Sequence, residues 1–138
     1  LFILSALIAF STGTSWGTFG IMIPLAMPIV TGLAEGNGLP QSALVQATMI
    51  SIAAVLSGAV WGDHASPISD TTILSSTGAG CPHLEHVATQ LPYASFVAVC
   101  VLFAFFVGSI FESLLVCWIA DLALFITGLI VLPKVIKS

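Results

Sequence analysis

Long apolar runs separated by short polar segments dominate the chain. An α-helix rises about 1.5 Å per residue and needs about 20 residues to cross about 30 Å of hydrocarbon. The run 40–61 fits one such span, and the long apolar run near the end fits two, 91–109 and 114–132. The run 1–34 is interrupted in its middle and predicts a broken span. The pattern therefore predicts an all-α polytopic membrane protein, a bundle of transmembrane helices.

The composition supports this class, because 58% of the residues are hydrophobic and only 6% are charged, against about 25% charged residues in soluble domains. The net charge of −4 comes without a basic cluster. We therefore expect a lipid bilayer around the protein and no nucleic-acid partner. The chain starts inside an apolar run, and we interpret it as a fragment of a longer transporter. No pattern of an enzyme or of a cofactor site is visible.

Few charged residues bear on orientation. Glu112 marks the predicted turn between the last two spans. Lys134 and Lys137 follow the last span. Since positive residues are enriched in cytoplasmic segments, we expect a multi-pass protein of the cell membrane with a cytoplasmic C-terminus.

The first polar interruption, Ser11–Thr18, has two glycines and five hydroxyl residues. One interpretation is an unwound centre of a discontinuous helix, and the other is a surface loop between two short spans. Irregular backbone inside a membrane is tolerated where protein or a water-filled cavity surrounds it. The short apolar flanks favour the unwound centre, where Thr14, Ser15 and Thr18 can help to coordinate a small hard cation.

The second interruption, GDHASPISDTT over 62–72, follows the span 40–61 directly. Ser66 is a favoured N-cap residue and Pro67 fits the first position of a helix, which predicts a short half-helix within 66–79. Its first turn carries four oxygen-bearing side chains: Ser69, Asp70, Thr71 and Thr72.

The two aspartates of this segment receive different roles. Asp70 lies near the positive end of the short helix, which favours its charged form, whereas Asp63 lies just past the negative end of the preceding helix. Our hypothesis is that Asp70 binds a cation and Asp63 takes up and releases protons. Alternatively, Asp63 pairs with His64 or marks a helix end at the water interface.

Three further residues are weaker candidates for proton relay or pH sensing. His64 and His86 qualify because the unperturbed side chain titrates near pH about 6.5, although ordinary hydrogen bonds explain them equally well. Asp121 lies within the last span, and an intramembrane aspartate is a functional candidate by default. Cys81, His83, Glu85 and His86 fit no zinc signature, so no metal site is expected.

Three stretches also carry a resemblance: GTSWGT at 13–18, GDHASPISDTT at 62–72 and ILSSTGAGCPHLEHVATQLPYA at 73–94. They resemble signature stretches of the NhaC-type Na⁺/H⁺ antiporter family, and the resemblance covers most of the chain. It implies that residues 1–138 are a C-terminal portion whose partner is the remaining half of the same transporter. It also implies an inverted-repeat ion transporter fold with discontinuous helices and a re-entrant hairpin.

The resemblance further implies secondary active antiport of Na⁺, or Li⁺, against H⁺. Proton and cation would compete for one site whose oxygen ligands come from both polar interruptions: Asp63, Ser69, Asp70, Thr71, Thr72, Thr14, Ser15 and Thr18. Relatives in the family exchange organic acids such as malate and lactate, or amino acids, so this alternative stays open. The chain has no arginine to anchor a carboxylate, which favours a cation. A second alternative is a membrane scaffold that transports nothing.

Overall fold

The structure, a computed structural model, describes the backbone of residues 1–111 and 114–136, and side chains within them except those of 109, 114 and 131–136. The predicted turn residue Glu112 and the terminal Lys137 lie outside the described residues, as does the side chain of Lys134. The described residues form six helices: α1 Phe2–Thr12, α2 Ser15–Gly36, α3 Gln41–Ala65, α4 Asp70–Ala79, α5 His83–Phe111 and α6 Leu114–Ile136.

Within the described part of the chain, three segments are long and apolar enough to cross a membrane: Ser15–Gly36, Gln41–Ala65 and His83–Gly108. Together with the helical content of the described residues, they confirm the prediction of an all-α integral membrane protein. The chain forms two compact units, Leu1–Val87 and Ala88–Ser138.

In the first unit, α1 lies along the C-terminal half of α3. A Cβ atom added at Gly58 would overlap the carbonyl oxygen of Phe2, and one added at Gly62 would overlap the carbonyl oxygen of Ala6. Positions 2 and 6 thus pair with positions 58 and 62, so the two helices run in the same direction. Glycines four residues apart allow this close approach, as in other membrane helix pairs.

The direction of the chain reverses between α1 and α2. Gly13 ends α1 with a φ of 70°, the left-handed conformation that glycine adopts without strain. Thr14 is extended and caps α2 by accepting a hydrogen bond from the Gly17 amide. Met22 and Ala26 of α2 then pack with Val55, which lies one turn before Gly58. Ser15 at the start of α2 bonds to Asp63 near the end of α3, so α2 runs opposite to α3.

The prediction of an unwound segment over Ser11–Thr18 is therefore wrong, because only Gly13 and Thr14 are non-helical. The hydroxyls of Ser11, Thr12 and Thr18 do not unwind the helices, since they bond to carbonyls of the preceding turn. Ser11 Oγ donates to Leu7 O at 2.8 Å. Thr18 Oγ1 donates to Thr14 O at 2.8 Å. Hydroxyl groups in apolar surroundings satisfy themselves in this way without breaking a helix.

The predicted ends of the next two helices also need correction. α3 passes through Gly62 and ends at Ala65, because Pro67 disfavours a helical conformation at Ser66, which is extended. α4 begins at Asp70 with Ser69 rather than Ser66 as its cap, and ends before Gly80. Pro67 consequently lies in the connecting loop 66–69.

The predicted start of α5 at Leu91 is wrong as well, since α5 begins at His83. The His86 amide bonds to Pro82 O at 3.0 Å, so the helix starts directly after this proline. Pro92 is accommodated inside α5.

In the second unit, α5 and α6 pack through aromatic side chains. The rings of Phe96 and Phe125 stack with centroids 6.2 Å apart, and a Cβ atom at Gly128 would overlap the Phe96 ring. A Cβ atom at Gly108 would lie 3.2 Å from Cys117 Sγ. Position 108 thus pairs with 117 and position 96 with 125, so the two helices run in opposite directions.

Candidate functional site

A carboxylate in the last turn of α3 is the centre of the polar network in the first unit. Asp63 is only 6% exposed and accepts two hydrogen bonds from other parts of the chain. Ser15 Oγ, at the start of α2, donates to Asp63 Oδ2 at 2.9 Å. Ser69 Oγ, from the loop before α4, donates to Asp63 Oδ1 at 2.6 Å. Both hydroxyls are buried.

The hydroxyl of Ser69 links Asp63 to the start of α4. Its single proton is directed to the carboxylate, so its other neighbours must donate to it. The Thr71 amide donates to Ser69 Oγ at 3.2 Å. Thr71 Oγ1 lies 2.8 Å from Ser69 Oγ and must therefore be the donor in that contact. We call Asp63, Ser15, Ser69 and Thr71 the Asp63 centre.

Local backbone features bring these side chains together. Ser66 Oγ donates to Phe10 O at 2.7 Å, which fixes the loop 66–69 to the end of α1. A Cβ atom at Gly13 would lie 3.0 Å from Ile68 O, so the α1–α2 turn touches the same loop. Two non-helical connections therefore meet beside Asp63. Ser69 belongs to one of them, and Ser15 directly follows the other at the start of α2.

The structure brings some of the predicted residues together and separates others. Ser15 and Ser69 bond to Asp63 directly, and Thr71 is linked to it through Ser69. Thr72 is buried and donates to His64 O at 3.2 Å, so it ties α4 to α3 instead. Thr18 is buried, but its hydroxyl is bonded within its own helix.

Asp70 and Thr14 are chain neighbours of residues in the Asp63 centre. Thr14 Oγ1 accepts the Gly17 amide and so caps α2. Asp70 is in the first turn of α4, as predicted, but its side chain is exposed, and no hydrogen bond to its carboxylate is found among the described residues. Asp63 belongs to the last turn of α3 instead of lying past its end. The hydroxyl groups are therefore bonded around the carboxylate of Asp63 rather than that of Asp70.

The three weaker candidates for proton relay or pH sensing have surroundings of their own. His64 is exposed, with Nδ1 3.1 Å from Val60 O. His86 Nδ1 lies 3.8 Å from Cys81 Sγ. Asp121 belongs to the second unit, where it lines a cavity of about 190 Å³ with Ala104, Cys117 and Trp118.

Sequence reasoning missed one residue beside the centre. His83 Nε2 lies 2.6 Å from Pro67 O, and its Nδ1 lies 3.1 Å from Ser76 Oγ. Its sequence position, 14 residues after Ser69, carries no local signal for this contact. Only the fold of α4 against the start of α5 produces it.

The centre has the chemistry of a site for a small hard ion. It offers a carboxylate and hydroxyl oxygens, which are the ligands that hard cations prefer. The same carboxylate can take up a proton instead. A carboxylate at the centre of a membrane costs about 2.5–3.5 kcal/mol on insertion scales, so a buried acid in a membrane helix is a functional candidate.

Comparisons with known proteins identify the family. The profile of the Na⁺/H⁺ antiporter family matches residues 1–109. An uncharacterized protein of Haemophilus influenzae is 57% identical over 98 residues, which are 71% of this chain and 17% of that protein. A malate-2H⁺/Na⁺-lactate antiporter of Bacillus subtilis is 36% identical over 89 residues, 64% of this chain and 17% of that protein.

An uncharacterized Na⁺/H⁺ antiporter of Haemophilus influenzae is 39% identical over 88 residues, 64% of this chain and 16% of that protein. The chain therefore spans only about a sixth of the length of these relatives. No solved structure matches. Since the family profile covers most of the chain and every residue of the Asp63 centre, the chain belongs to the Na⁺/H⁺ antiporter family.

Proposed function

We propose that this chain supplies the ion-binding centre of a secondary active antiporter that exchanges Na⁺ for H⁺. The observation that carries the proposal is the buried carboxylate of Asp63, which the hydroxyl of the distant Ser15 and that of Ser69 in the following loop hold in place. Asp63 takes the role of the shared group, which binds either a cation or a proton. Mutual exclusion at one carboxylate gives antiport when the occupied site opens to alternate sides of the membrane.

The hydroxyls position the carboxylate and supply oxygen atoms to the cation. Ser69 Oγ already receives two donors, so a bound cation would have to displace one of them, with Thr71 Oγ1 the more easily turned away. Ser15 is the partner on the other carboxylate oxygen. We expect the rest of the transporter to supply further ligands for Na⁺ or Li⁺.

Asp70 has a secondary role in this proposal. It is exposed at the N-terminal turn of α4, where it can attract cations toward the centre without holding them. This reverses our hypothesis from the sequence, in which Asp70 binds the cation. The protein would work as a multi-pass component of the cell membrane, with its C-terminus in the cytoplasm.

An exchanger of organic acids is the second candidate, because one relative carries the name of a malate/lactate antiporter. The amides that could bind a carboxylate are partly occupied. Ser69 Oγ accepts the Thr71 amide, and Thr14 Oγ1 accepts the Gly17 amide. The chain also has no arginine. An anion would therefore need an anchor from another part of the transporter, and the Asp63 centre would bind its coupling ion.

The test uses the full-length protein in everted membrane vesicles with a fluorescent reporter of the proton gradient. Na⁺, Li⁺, K⁺ and malate are added separately to the wild type, to Asp63→Asn and to Asp70→Asn. We expect Na⁺ or Li⁺ alone to collapse the gradient in the wild type. Asp63→Asn should abolish the response, and Asp70→Asn should reduce it by about threefold or less, as for an exposed charge.

The matched aspartate variants separate the candidates. A response that survives Asp63→Asn and is lost in Asp70→Asn would contradict the proposed role of Asp63. A wild-type response that requires malate would establish the organic-acid exchanger. No response to any solute, with correctly inserted protein, would favour the membrane scaffold.

A further inference from the structure

The loop 66–69 carries Ser69 to Asp63, so its position decides whether the carboxylate keeps that partner. Ser66 Oγ bonds to Phe10 O at 2.7 Å and holds the first end of the loop on α1. Ser69 Oγ bonds to Asp63 Oδ1 at 2.6 Å at the other end. Between these two ends, Pro67 has no backbone N–H to donate, so its carbonyl oxygen is the backbone group through which it can be held by a hydrogen bond.

His83 provides that contact from the first residue of α5. Its Nε2 lies 2.6 Å from Pro67 O. A carbonyl oxygen can only accept, so Nε2 carries a proton and donates it. The imidazole is half-buried, with Nδ1 3.1 Å from Ser76 Oγ on α4. One side chain thus joins the loop before α4 to the body of α4.

The two contacts of His83 differ in their proton requirement. Ser76 Oγ also lies 2.9 Å from Ile73 O and has a single proton. If this proton goes to Ile73 O, Nδ1 must donate as well and the ring is charged. If the proton turns to Nδ1, the ring is neutral. In both states Nε2 keeps its proton, so the contact with Pro67 O persists while the Ser76 contact only reverses direction.

We propose that His83 is a positioning residue for the ion site and acts through Pro67 on Ser69. The contact with Pro67 O fixes the loop so that the Ser69 hydroxyl meets Asp63. Loss of the donor at Nε2 frees the loop, and the cation loses an ordered hydroxyl at its carboxylate. The proposal rests on the proposed function of the Asp63 centre. It assigns His83, rather than His64 or His86, as the histidine that the site depends on.

The experiment measures antiport by the full-length protein in everted vesicles over a range of Na⁺ concentrations. The variants are His83→Leu, which removes the donor, and His83→Gln, whose amide nitrogen can take the place of Nε2. His83→Leu should raise the Na⁺ concentration for half-maximal exchange by about three- to tenfold, as for one lost hydrogen bond. The maximal rate should change by about twofold or less. His83→Gln should restore the wild-type Na⁺ dependence.

Two further variants keep the test decisive. His83→Asn carries an amide that is one methylene too short to reach Pro67 O, so it should show the same defect as His83→Leu. It replaces His83→Leu in the comparison if the leucine variant fails to insert into the membrane. Ser76→Ala removes the contact with His83 Nδ1, together with the Ser76 bond to Ile73 O, but keeps the donor at Nε2. It should leave the Na⁺ dependence within about twofold. The amount of each variant in the membrane is measured alongside.

The outcomes distinguish this inference from the function on which it rests. Wild-type Na⁺ dependence in His83→Leu or His83→Asn, with Asp63→Asn inactive, would overturn the role of His83 alone. Equal defects in the Gln and Leu variants would also overturn it, because the donor would then be irrelevant. Exchange that persists in Asp63→Asn would overturn the proposed function and this inference together.

Discussion

Asp63 and Asp121 are both carboxylates within apolar helices, yet their surroundings differ. Each carboxylate oxygen of Asp63 accepts a hydrogen bond from a hydroxyl group, one from Ser15 and one from Ser69. Asp121 Oδ1 is buried and has no hydrogen-bond partner among the residues whose side chains the structure describes. It lines a cavity of about 190 Å³ together with Cys117, Trp118 and Ala104.

The difference shows that burial of an acid in a membrane helix does not by itself indicate a formed site. The partners of Asp63 are in place within the first unit and hold the carboxylate in one geometry. In the described part of the second unit, Asp121 Oδ1 has a cavity instead of a donor. A role for Asp121 in proton relay or pH sensing therefore stays a prediction, and it depends on what occupies that cavity.

The packing between helices also differs between the two units. A Cβ atom at Gly62, beside Asp63, would overlap backbone atoms of α1, namely Ala6 O and Phe10 N. The atoms nearest to a Cβ atom at Gly128 would belong to the ring of Phe96, which it would overlap. Backbone atoms cannot move without shifting a helix, whereas a ring can rotate away. The helix packing of the first unit should therefore accommodate an added methyl group less readily than that of the second unit.

Replacement of Gly62 by alanine should have the largest effect on stability among the changes that test this difference. The added methyl group must push α1 away from α3, and overpacking of this kind costs about 3 kcal/mol or more. We expect a large fall in the thermal unfolding midpoint of the detergent-solubilised full-length protein and loss of antiport. Gly128→Ala is the matched control and should cost less. Equal midpoints for the two variants would contradict the ranking of the two regions.

Replacement of each acid by leucine should have the next largest effect, and the change in stability should differ between the two units. Asp63→Leu leaves two buried hydroxyls without their acceptor, which should destabilise the protein by about 2–3 kcal/mol. Asp121→Leu replaces an acid whose Oδ1 lacks a donor among the described residues, and it should be neutral or stabilising by about 1 kcal/mol. Thermal unfolding of both variants in detergent measures the difference. A larger loss in Asp121→Leu would show that a part of the transporter outside these residues partners Asp121.

Single hydroxyls give the smallest and sharpest test. Ser15→Ala removes one of the two donors to Asp63 and should cost about 1.5 kcal/mol, as for a hydrogen bond to a charged group. Ser5 is its control, because Ser5 Oγ is buried without a hydrogen-bond partner among the described side chains. Ser5→Ala should therefore be neutral or slightly stabilising. Unfolding midpoints that fall equally in both variants would mean that the bond to Asp63 contributes nothing to stability.

Much of the architecture followed from local patterns along the chain. The apolar runs identified the membrane helices, because the length needed to cross hydrocarbon is set by the bilayer. Ser69, Asp70, Thr71 and Thr72 were expected around the start of one short helix, and α4 begins there. Helix ends were less accurate. Hydroxyl residues in Ser11–Thr18 suggested an unwound segment, but Ser11 and Thr18 bond to carbonyls of the preceding turn.

The sequence by itself determined a membrane protein with helical spans, two polar interruptions and a family resemblance, since hydropathy and short motifs are local properties. Only the tertiary structure decided that Asp63, and not Asp70, is the acid with ordered partners. Ser15 lies 48 positions from Asp63 in the chain, and the two meet because α1 and α3 pack through Gly58 and Gly62. Contacts between distant segments depend on how helices pack and where the chain turns, which no local pattern contains.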